Sequence, residues 1–447
     1  SSVVFRDSPF PLTDLEQLGN GLVAFGEVDI CGAHKSSHLT MDFVSAGSDY
    51  INVDGNSFDW SIGDELVIVG TGNGSRDEVR TITSAVGDTF GLSSPLSYDH
   101  EPPMPLLLDT YVGNLTRNVV FSSENPNGIR GHVMLHNADS VVSNVEVKDM
   151  GRTDASIATG TSTNPEGRYP IHLHMIGTDA DGPSSYITGN SVYGCVGWAI
   201  VQHSSKANIN NNIVFDAVGA GIVSEMGDET GNWVGNLVTS VAGTNMDIHL
   251  PGVEGSAYEN QSRVIIQQGN IAANSVVGWN FFGREDFPED AGGGAPKDGS
   301  HRKMFDRNEL PFDPSPFDVA IDHEEPPLVN FNDNTVIACQ SGMRVFHRQT
   351  SDDSDAMSVM RNFNIWGGND AVHLDNYASN YEFIDSVWQG SGVGISVMRK
   401  TSSVVLNKVS MSDFDVGYRS WGVNHEVVLI DTSFHNVVED FDLKDLM

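Results

Sequence analysis

The chain has 447 residues, and its 60 Asp and Glu outnumber 24 Lys and Arg to give a formal net charge of −36. This excess of negative charge argues against nucleic acid and anionic membranes as partners. The three cysteines form no CxxC motif, and no apolar run approaches the roughly 20 residues of a membrane span. The composition predicts a soluble, secreted protein, which we expect to be a monomer.

Residues 1–115 contain short β-like runs separated by turn signals, such as Glu65-Leu66-Val67-Ile68-Val69. They predict an N-terminal β-rich segment or a β-domain that caps the rest of the chain. The first residues lack the charged and apolar regions of a signal peptide, so any such peptide is expected to have been removed already.

A short unit repeats in the middle of the chain. The unit reads Gly-Asn-Ser-Val, then Asn-Asn-Ile-Val, then Gly-Asn-Leu-Val. The second residue of each copy is an asparagine, at positions 190, 212 and 236, so the copies are 22 and 24 residues apart. Weaker copies occur at Asn274, Asn334 and Asn364. Self-similarity at this period, with short β-branched runs, indicates stacked coils. Residues 116–447 are therefore predicted to form a right-handed parallel β-helix, which makes the chain all-β. A stretch at 284–328 rich in Gly, Pro and charge predicts a long inserted loop.

The repeat also predicts a column of polar side chains. His203, Glu225 and His249 each lie 13 residues after a repeat asparagine. Coils stacked in register would place these three residues about 4.8 Å apart in a column. His174 ends its strand as His203 does and extends the column, and His172 lies two residues earlier on the same strand face.

Imidazoles and a carboxylate stacked at this spacing lose contacts with water, and this loss costs free energy unless a bound group compensates for it. A divalent transition metal (zinc, manganese, iron or copper) suits this donor set; calcium is possible but prefers oxygen. We predict His172, His174, His203 and Glu225 as the ligand pool, and His249 as a further ligand or a proton-transfer group. The alternative is a column of hydrogen-bonded polar groups that holds no metal.

Three further residues near this column are candidates. Arg168 could bind a substrate carboxylate through two parallel hydrogen bonds, or form a surface salt bridge. His132 and His136 lie on an earlier coil and could reach the same cleft, although buried, hydrogen-bonded histidines are the favoured interpretation.

Several motifs together resemble a known family. They are Gly131-His132-Val133-Met134, Asp149-Met150-Gly151-Arg152-Thr153 and Arg168-Tyr169-Pro170-Ile171-His172-Leu173-His174-Met175. This series is similar to that of the cell-surface hyaluronidase and fibrocystin-like proteins, in which a β-rich domain precedes parallel β-helix repeats. The resemblance implies extracellular glycan chemistry.

The resemblance also extends to individual residues. His172 and His174 match the histidines of the family's RYPIHFH motif, and Arg168 matches its arginine. His203 and Glu225 fall where the family has a histidine and a glutamate. The chain departs from the pattern at Ala220, where a histidine is usual, and at Met226, where an aspartate is usual.

The sequence leaves three functions open. The first is a secreted, metal-dependent enzyme that cleaves a polysaccharide containing uronic acid, as a hydrolase or a lyase. In that interpretation His249 and Arg168 are the catalytic residues. The second is a non-catalytic extracellular glycan-binding or matrix protein with a structural metal, which the net charge of −36 favours because a polyanion would be repelled. The third is a metal-dependent redox protein.

Overall fold

The computed structural model describes residues 1–14, 17–55, 59–72, 76–102, 108–152, 167–179, 181–244, 252–282, 327–328, 330–346, 357–375, 378–398, 401, 403–421 and 426–443. These residues are all-β: they contain no helix, and hence none long and apolar enough to cross a membrane. Short strands connected by turns account for nearly all of the regular structure.

The strands follow one another along the chain with these bounds: β1 Ser2–Phe5, β2 Leu22–Ala24, β3 Asp29–Cys31, β4 His38–Met41, β5 Tyr50–Asp54, β6 Glu65–Ile68, β7 Glu78–Val86, β8 Thr89–Leu92, β9 Thr110–Asn114, β10 Val120–Ser123, β11 Val133–Leu135, β12 Val141–Ser143, β13 Glu146–Lys148, β14 Ile171–Gly177, β15 Ser185–Thr188, β16 Ser191–Val196, β17 Ile200–Asn210, β18 Ile213–Val218, β19 Ala220–Ser224, β20 Thr230–Val234, β21 Leu237–Ala242, β22 Ser256–Asn260, β23 Ile266–Gln268, β24 Ile271–Ala273, β25 Val277–Phe282, β26 Phe331–Asn332, β27 Thr335–Ile337, β28 Ser341–Phe346, β29 Ser358–Arg361, β30 Asn364–Gly368, β31 Asp370–Leu374, β32 Tyr381–Gly390, β33 Val393–Val397, β34 Val404–Ser412, β35 Val416–Ser420, β36 Val427–Ile430, β37 Ser433–His435 and β38 Glu439–Leu443.

Three parallel ladders of strands form the faces of a β-helix. The front ladder runs from β2 through β11, β14, β17, β19 and β22 to β38. The side ladder runs from β3 through β12 and β15 to β36, and the back ladder from β1 through β10 and β13 to β37. The predicted parallel β-helix is confirmed.

The core of the helix is a stack of inward-facing side chains. Ile171, Ile200 and Ile222 lie one above another in the front ladder, and all three are buried in the same apolar cluster. Because neighbouring residues of a strand face opposite sides, the residues next to each isoleucine in its own strand face outward. His172 and His174 are therefore outward-facing residues of a strand whose Ile171 and Leu173 hold the core.

A ladder of asparagine amides holds the corner between the side and back ladders. The Oδ1 atom of Asn212 accepts hydrogen bonds from the backbone N and the Nδ2 atom of Asn190, and the same pattern links Asn212 to Asn236. It continues to Asn270 and Asn334. The predicted repeat at 190, 212, 236 and 334 is thus this ladder, but its fourth member is Asn270 and not Asn274.

The N-terminal part of the chain divides differently from the sequence boundary at residue 115. Strands β4 to β9 form a closed barrel. Strands β1, β2 and β3, however, pair in parallel with β10, β11 and β12 and form the first coil of the helix. They cover strand edges that would otherwise expose unpaired backbone groups. The barrel is therefore inserted between the first and second coils. The predicted loop at 284–328 lies outside the described residues except for 327 and 328.

Candidate metal centre

The register of the front ladder builds the polar column. His174 pairs with His203, and Leu135 pairs with Leu173, which places His136 one rung before His174. The backbone N of Glu225 donates to the carbonyl of Gln202, so Glu225 lies one rung after His203. The column therefore runs His136, His174, His203, Glu225 along consecutive coils.

Three histidines of the front ladder converge on one point. His172, His174 and His203 each offer a ring nitrogen, and these atoms lie within 4.8 Å of one another. The His174 ring is edge-on to both others, with ring centroids 5.0 Å from His172 and 4.7 Å from His203. Glu225 completes the group: its Oε2 atom lies 3.2 Å from His203 Nδ1 and 3.8 Å from His172 Nε2.

One ring nitrogen of each histidine in this group has no hydrogen-bond partner among the described residues. His172 Nδ1 lies 3.0 Å from the carbonyl oxygen of Gly167, which can only accept, so Nδ1 carries the proton and Nε2 keeps a lone pair. Within the described residues, His172 Nε2, His174 Nδ1 and His203 Nε2 have no hydrogen-bond partner. A backbone carbonyl that holds the far nitrogen of a ligand histidine is a common feature of metal sites.

Burial sets the charge of these histidines. It lowers the pKa of His172 to about 3 and, with the neighbouring His203, the pKa of His174 to about 4. For His203 burial acts in the same direction, but the hydrogen bond and the charge of Glu225 outweigh it and raise the pKa. At neutral pH His172 and His174 are thus uncharged, which is the form that binds a metal ion.

The group is enclosed but not sealed. The side chain of His172 is 1% exposed, whereas those of His203 and Glu225 are 12% and 15% exposed. His174 is half-buried, and Met175 after it is exposed. A donor set of three imidazoles and one carboxylate, partly open to solvent, fits zinc or another divalent transition metal.

Arg168 needs a correction, because the structure does not leave it free to bind a substrate carboxylate. Its side chain is fully buried. Its Nη1 atom donates to the carbonyls of Gln17 and Gly19, and its Nη2 atom donates to the carbonyl of Arg130. Arg168 therefore anchors the N-terminal segment to the helix, and neither a substrate-binding role nor a surface salt bridge matches its surroundings.

His249 lies outside the described residues, so its role remains a prediction. The spacing argument that selected it does not hold in this coil, however. The backbone N of Gln261 donates to the carbonyl of Ser224, which places Gln261, and not residue 249, on the rung after Glu225. Asn236 and Asn270 are 34 residues apart, so the coil is longer than its neighbours. The repeated Gly-Asn pair at 269–270 is the sequence signal that marks this longer coil.

The two earlier histidines differ from each other. His132 is buried, and burial lowers its pKa to about 3, but neither ring nitrogen has a hydrogen-bond partner among the described residues. His136 lies beside His174 with ring centroids 4.8 Å apart. His136 therefore adjoins the candidate metal centre, which the sequence analysis gave only as the less favoured alternative, whereas His132 is buried without the expected hydrogen bonds.

Comparisons with known proteins agree with this architecture. Residues 128–343, just under half of the chain, match the family model described as CEMIP beta-helix. This range contains His172, His174, His203 and Glu225. This match supports the resemblance that the sequence motifs indicate.

Two similar relatives come from different organisms. A G8 domain-containing protein of Dictyostelium discoideum is 26% identical over 253 residues, which is 52% of this chain and 20% of that protein. Fibrocystin-L of Mus musculus is 28% identical over 225 residues, 39% of this chain and 5% of that protein. The chain thus spans a fifth or less of the length of these relatives.

Solved structures give a weaker likeness. The Gp54 tailspike of Acinetobacter baumannii bacteriophage AP22, in complex with capsular saccharide, is 10% identical with a TM-score of 0.20, covering 90% of this chain and 57% of the tailspike. A glycoside hydrolase is 9% identical with a TM-score of 0.19, covering 91% of this chain and 74% of that one.

Proposed function

We propose that His172, His174, His203 and Glu225 bind one divalent transition metal ion, and that the protein acts on a polysaccharide outside the cell. The observation that carries this proposal is the convergence of ring nitrogens from three histidines within 4.8 Å of one another, beside a carboxylate. His172 Nε2, His174 Nδ1 and His203 Nε2 are buried without a hydrogen-bond partner among the described residues, and a bound ion would offset the desolvation of these histidines.

The reaction that best suits the site is metal-dependent cleavage of a glycan, with a uronic-acid polymer as the proposed substrate. A bound ion would act there as a Lewis acid on a sugar oxygen or would lower the pKa of a water molecule. Gly167 orients His172, and Glu225 balances charge at His203. The partly open side of the group lets a polymer chain approach. The matches to the CEMIP beta-helix model and to Fibrocystin-L support a role outside the cell.

A non-catalytic glycan-binding protein with a structural metal is the second candidate. The observation that favours it is the net charge of −36, which opposes the approach of an acidic polymer. Both candidate functions need the same metal ligands. They differ in whether the protein releases a product from the glycan.

The first test is elemental analysis of the purified protein, the His203→Ala variant and the control His435→Ala. His435 is an exposed histidine of the back ladder. We expect about one equivalent of a transition metal in the parent and in His435→Ala, and its loss in His203→Ala. Equal metal contents in all three proteins, or no metal in the parent, would contradict the proposed centre.

The second test follows products from a panel of uronic-acid polymers. New reducing ends with metal-loaded protein, absent in His203→Ala, would show cleavage. The ultraviolet absorbance of an unsaturated uronate would identify a lyase, and its absence a hydrolase. Binding of a polymer without product would favour the non-catalytic candidate.

A further inference from the structure

An exposed aromatic ring begins the polar column. Phe25 directly follows β2, and because Ala24 pairs with Leu135, Phe25 lies one rung before His136. Its side chain is 75% exposed, among the most exposed large apolar residues of the described chain. The rings of Phe25 and His136 stack, with centroids 4.7 Å apart and planes at 14°.

This stack is continuous with the candidate metal centre. His136 contacts His174 edge-to-face, with ring centroids 4.8 Å apart and planes at 68°. Phe25, His136 and His174 thus occupy three consecutive rungs on the outward side of one ladder. A single exposed phenylalanine needs no explanation in general. This one differs because its inner face rests on an imidazole that touches a proposed ligand, while its outer face is open.

We propose that Phe25, supported by His136, is the platform of a sugar-binding subsite next to the metal centre. The ligand is a pyranose ring of a glycan chain. One face of a pyranose presents C–H groups, which pack on the electron-rich face of an aromatic ring, while its hydroxyl rim stays in water. This inference rests on the proposed function and adds the group that recognises the sugar.

The charge of the molecule favours this kind of contact. With a net charge of −36, long-range attraction cannot bring an acidic polymer to the site. Arg168, the cation that the motif offered for carboxylate binding, is committed to backbone carbonyls. Contact with an uncharged sugar face adds affinity without a cation and holds the chain beside the metal ligands.

The test measures binding of uronic-acid hexasaccharides to the parent, Phe25→Ala, Phe25→Trp and Tyr186→Ala by titration calorimetry. The hexasaccharides contain glucuronate, mannuronate or galacturonate. Tyr186 is the matched control, since it is 50% exposed but lies in the side ladder. We expect about tenfold weaker binding for Phe25→Ala, and binding near that of the parent for the other two variants.

Metal content separates this inference from the proposed function. We expect Phe25→Ala to keep the parent's metal content, because Phe25 is not a ligand. Unchanged affinity in Phe25→Ala, or an equal loss in Tyr186→Ala, would overturn the subsite even if metal and cleavage are found. The absence of any hexasaccharide binding to the parent would also overturn it. If the purified parent holds no metal and Phe25→Ala is the only variant that loses affinity, the subsite is retained and the metal-dependent function is refuted.

Discussion

Glu259 shows how strongly burial acts on a single side chain of the outward face. It pairs with Val223 and Asn280 in the front ladder and is fully buried. Desolvation raises its pKa from 4.5 to about 7, although the Nδ2 atom of Asn280 donates to its Oε2 atom at 3.0 Å. The folded protein therefore binds this proton more tightly than the unfolded chain does.

This difference predicts the pH dependence of the Glu259→Gln variant. Because the pKa of Glu259 is raised in the folded protein, its protonated carboxyl contributes to the free energy of unfolding. This contribution is fully present below pH 4.5 and is lost as the pH rises to about 7. Relative to the parent, Glu259→Gln should gain stability across that window, by at most about 3 kcal/mol.

Denaturant unfolding of both proteins between pH 4.5 and pH 8 measures this difference in the free energy of unfolding. The exposed Glu426→Gln variant controls for the loss of one negative charge. A parent-to-variant difference that is the same at every pH would refute the assignment.

The candidate site residues differ in how far the sequence could predict them. His172 and His174 alternate within one strand, and His203 and Glu225 follow the short coils, so their convergence was predictable from the repeat. Arg168 was not, because its partners are carbonyls of residues far away in the sequence. Only the folding of the first two coils brings those carbonyls to it.

At the scale of a single coil, the asparagine ladder fixes the register on which the site depends. Asn212 accepts from the backbone N and the Nδ2 atom of Asn190, and its own Nδ2 atom donates to the carbonyl of Ile187 at 2.8 Å. Each of these polar groups is buried, so none can turn to water if the amide is removed.

Asn212→Ala should therefore destabilise the protein by on the order of 3 kcal/mol, because it leaves buried donors and an acceptor without partners. Asn208→Ala is the matched control: Asn208 is half-buried in the side ladder, and its Oδ1 atom accepts from Asn232. We expect it to cost less than about 1 kcal/mol. Chemical denaturation measures both values. Similar losses in the two variants would show that the ladder has no special role.

At the scale of the whole molecule, the Asp77 side chain and an apolar contact help to attach the barrel to the helix. Thr239 and Ser240 donate to Asp77 Oδ2 at 2.6 Å each, and Asn274 Nδ2 donates to Asp77 Oδ1 at 2.6 Å. Nearby, a Cβ atom on Gly113 would lie 1.9 Å from Ile213 Cδ1, so any larger residue at 113 would have to displace the end of the Ile213 side chain.

Asp77→Ala should loosen the barrel without affecting the metal centre, since four hydrogen bonds to a carboxylate are lost, three of them from the helix. We expect the free energy of local opening at β9 to fall by on the order of 3 kcal/mol. Amide hydrogen exchange at β9 measures this, and elemental analysis provides the control. Unchanged exchange at β9 would show that the hydrogen bonds of Asp77 do not hold the barrel on the helix.

The sequence by itself determined the all-β class, the parallel β-helix and the grouping of His172, His174, His203 and Glu225. These features follow from local periodicity: a repeat of 22 to 24 residues sets the stacking, and alternation within a strand sets the exposed face.

Tertiary structure decided the rest. The coil that follows Asn236 is longer than its neighbours, so the fixed offset of 13 residues fails there. The hydrogen-bond register instead places Gln261 on the rung after Glu225. The use of β1 to β3 as the first coil, the burial of Arg168 and the stacking of Phe25 on His136 all join residues more than a hundred positions apart. Such contacts depend on which strand edges and apolar faces remain to be covered, and no local pattern encodes that.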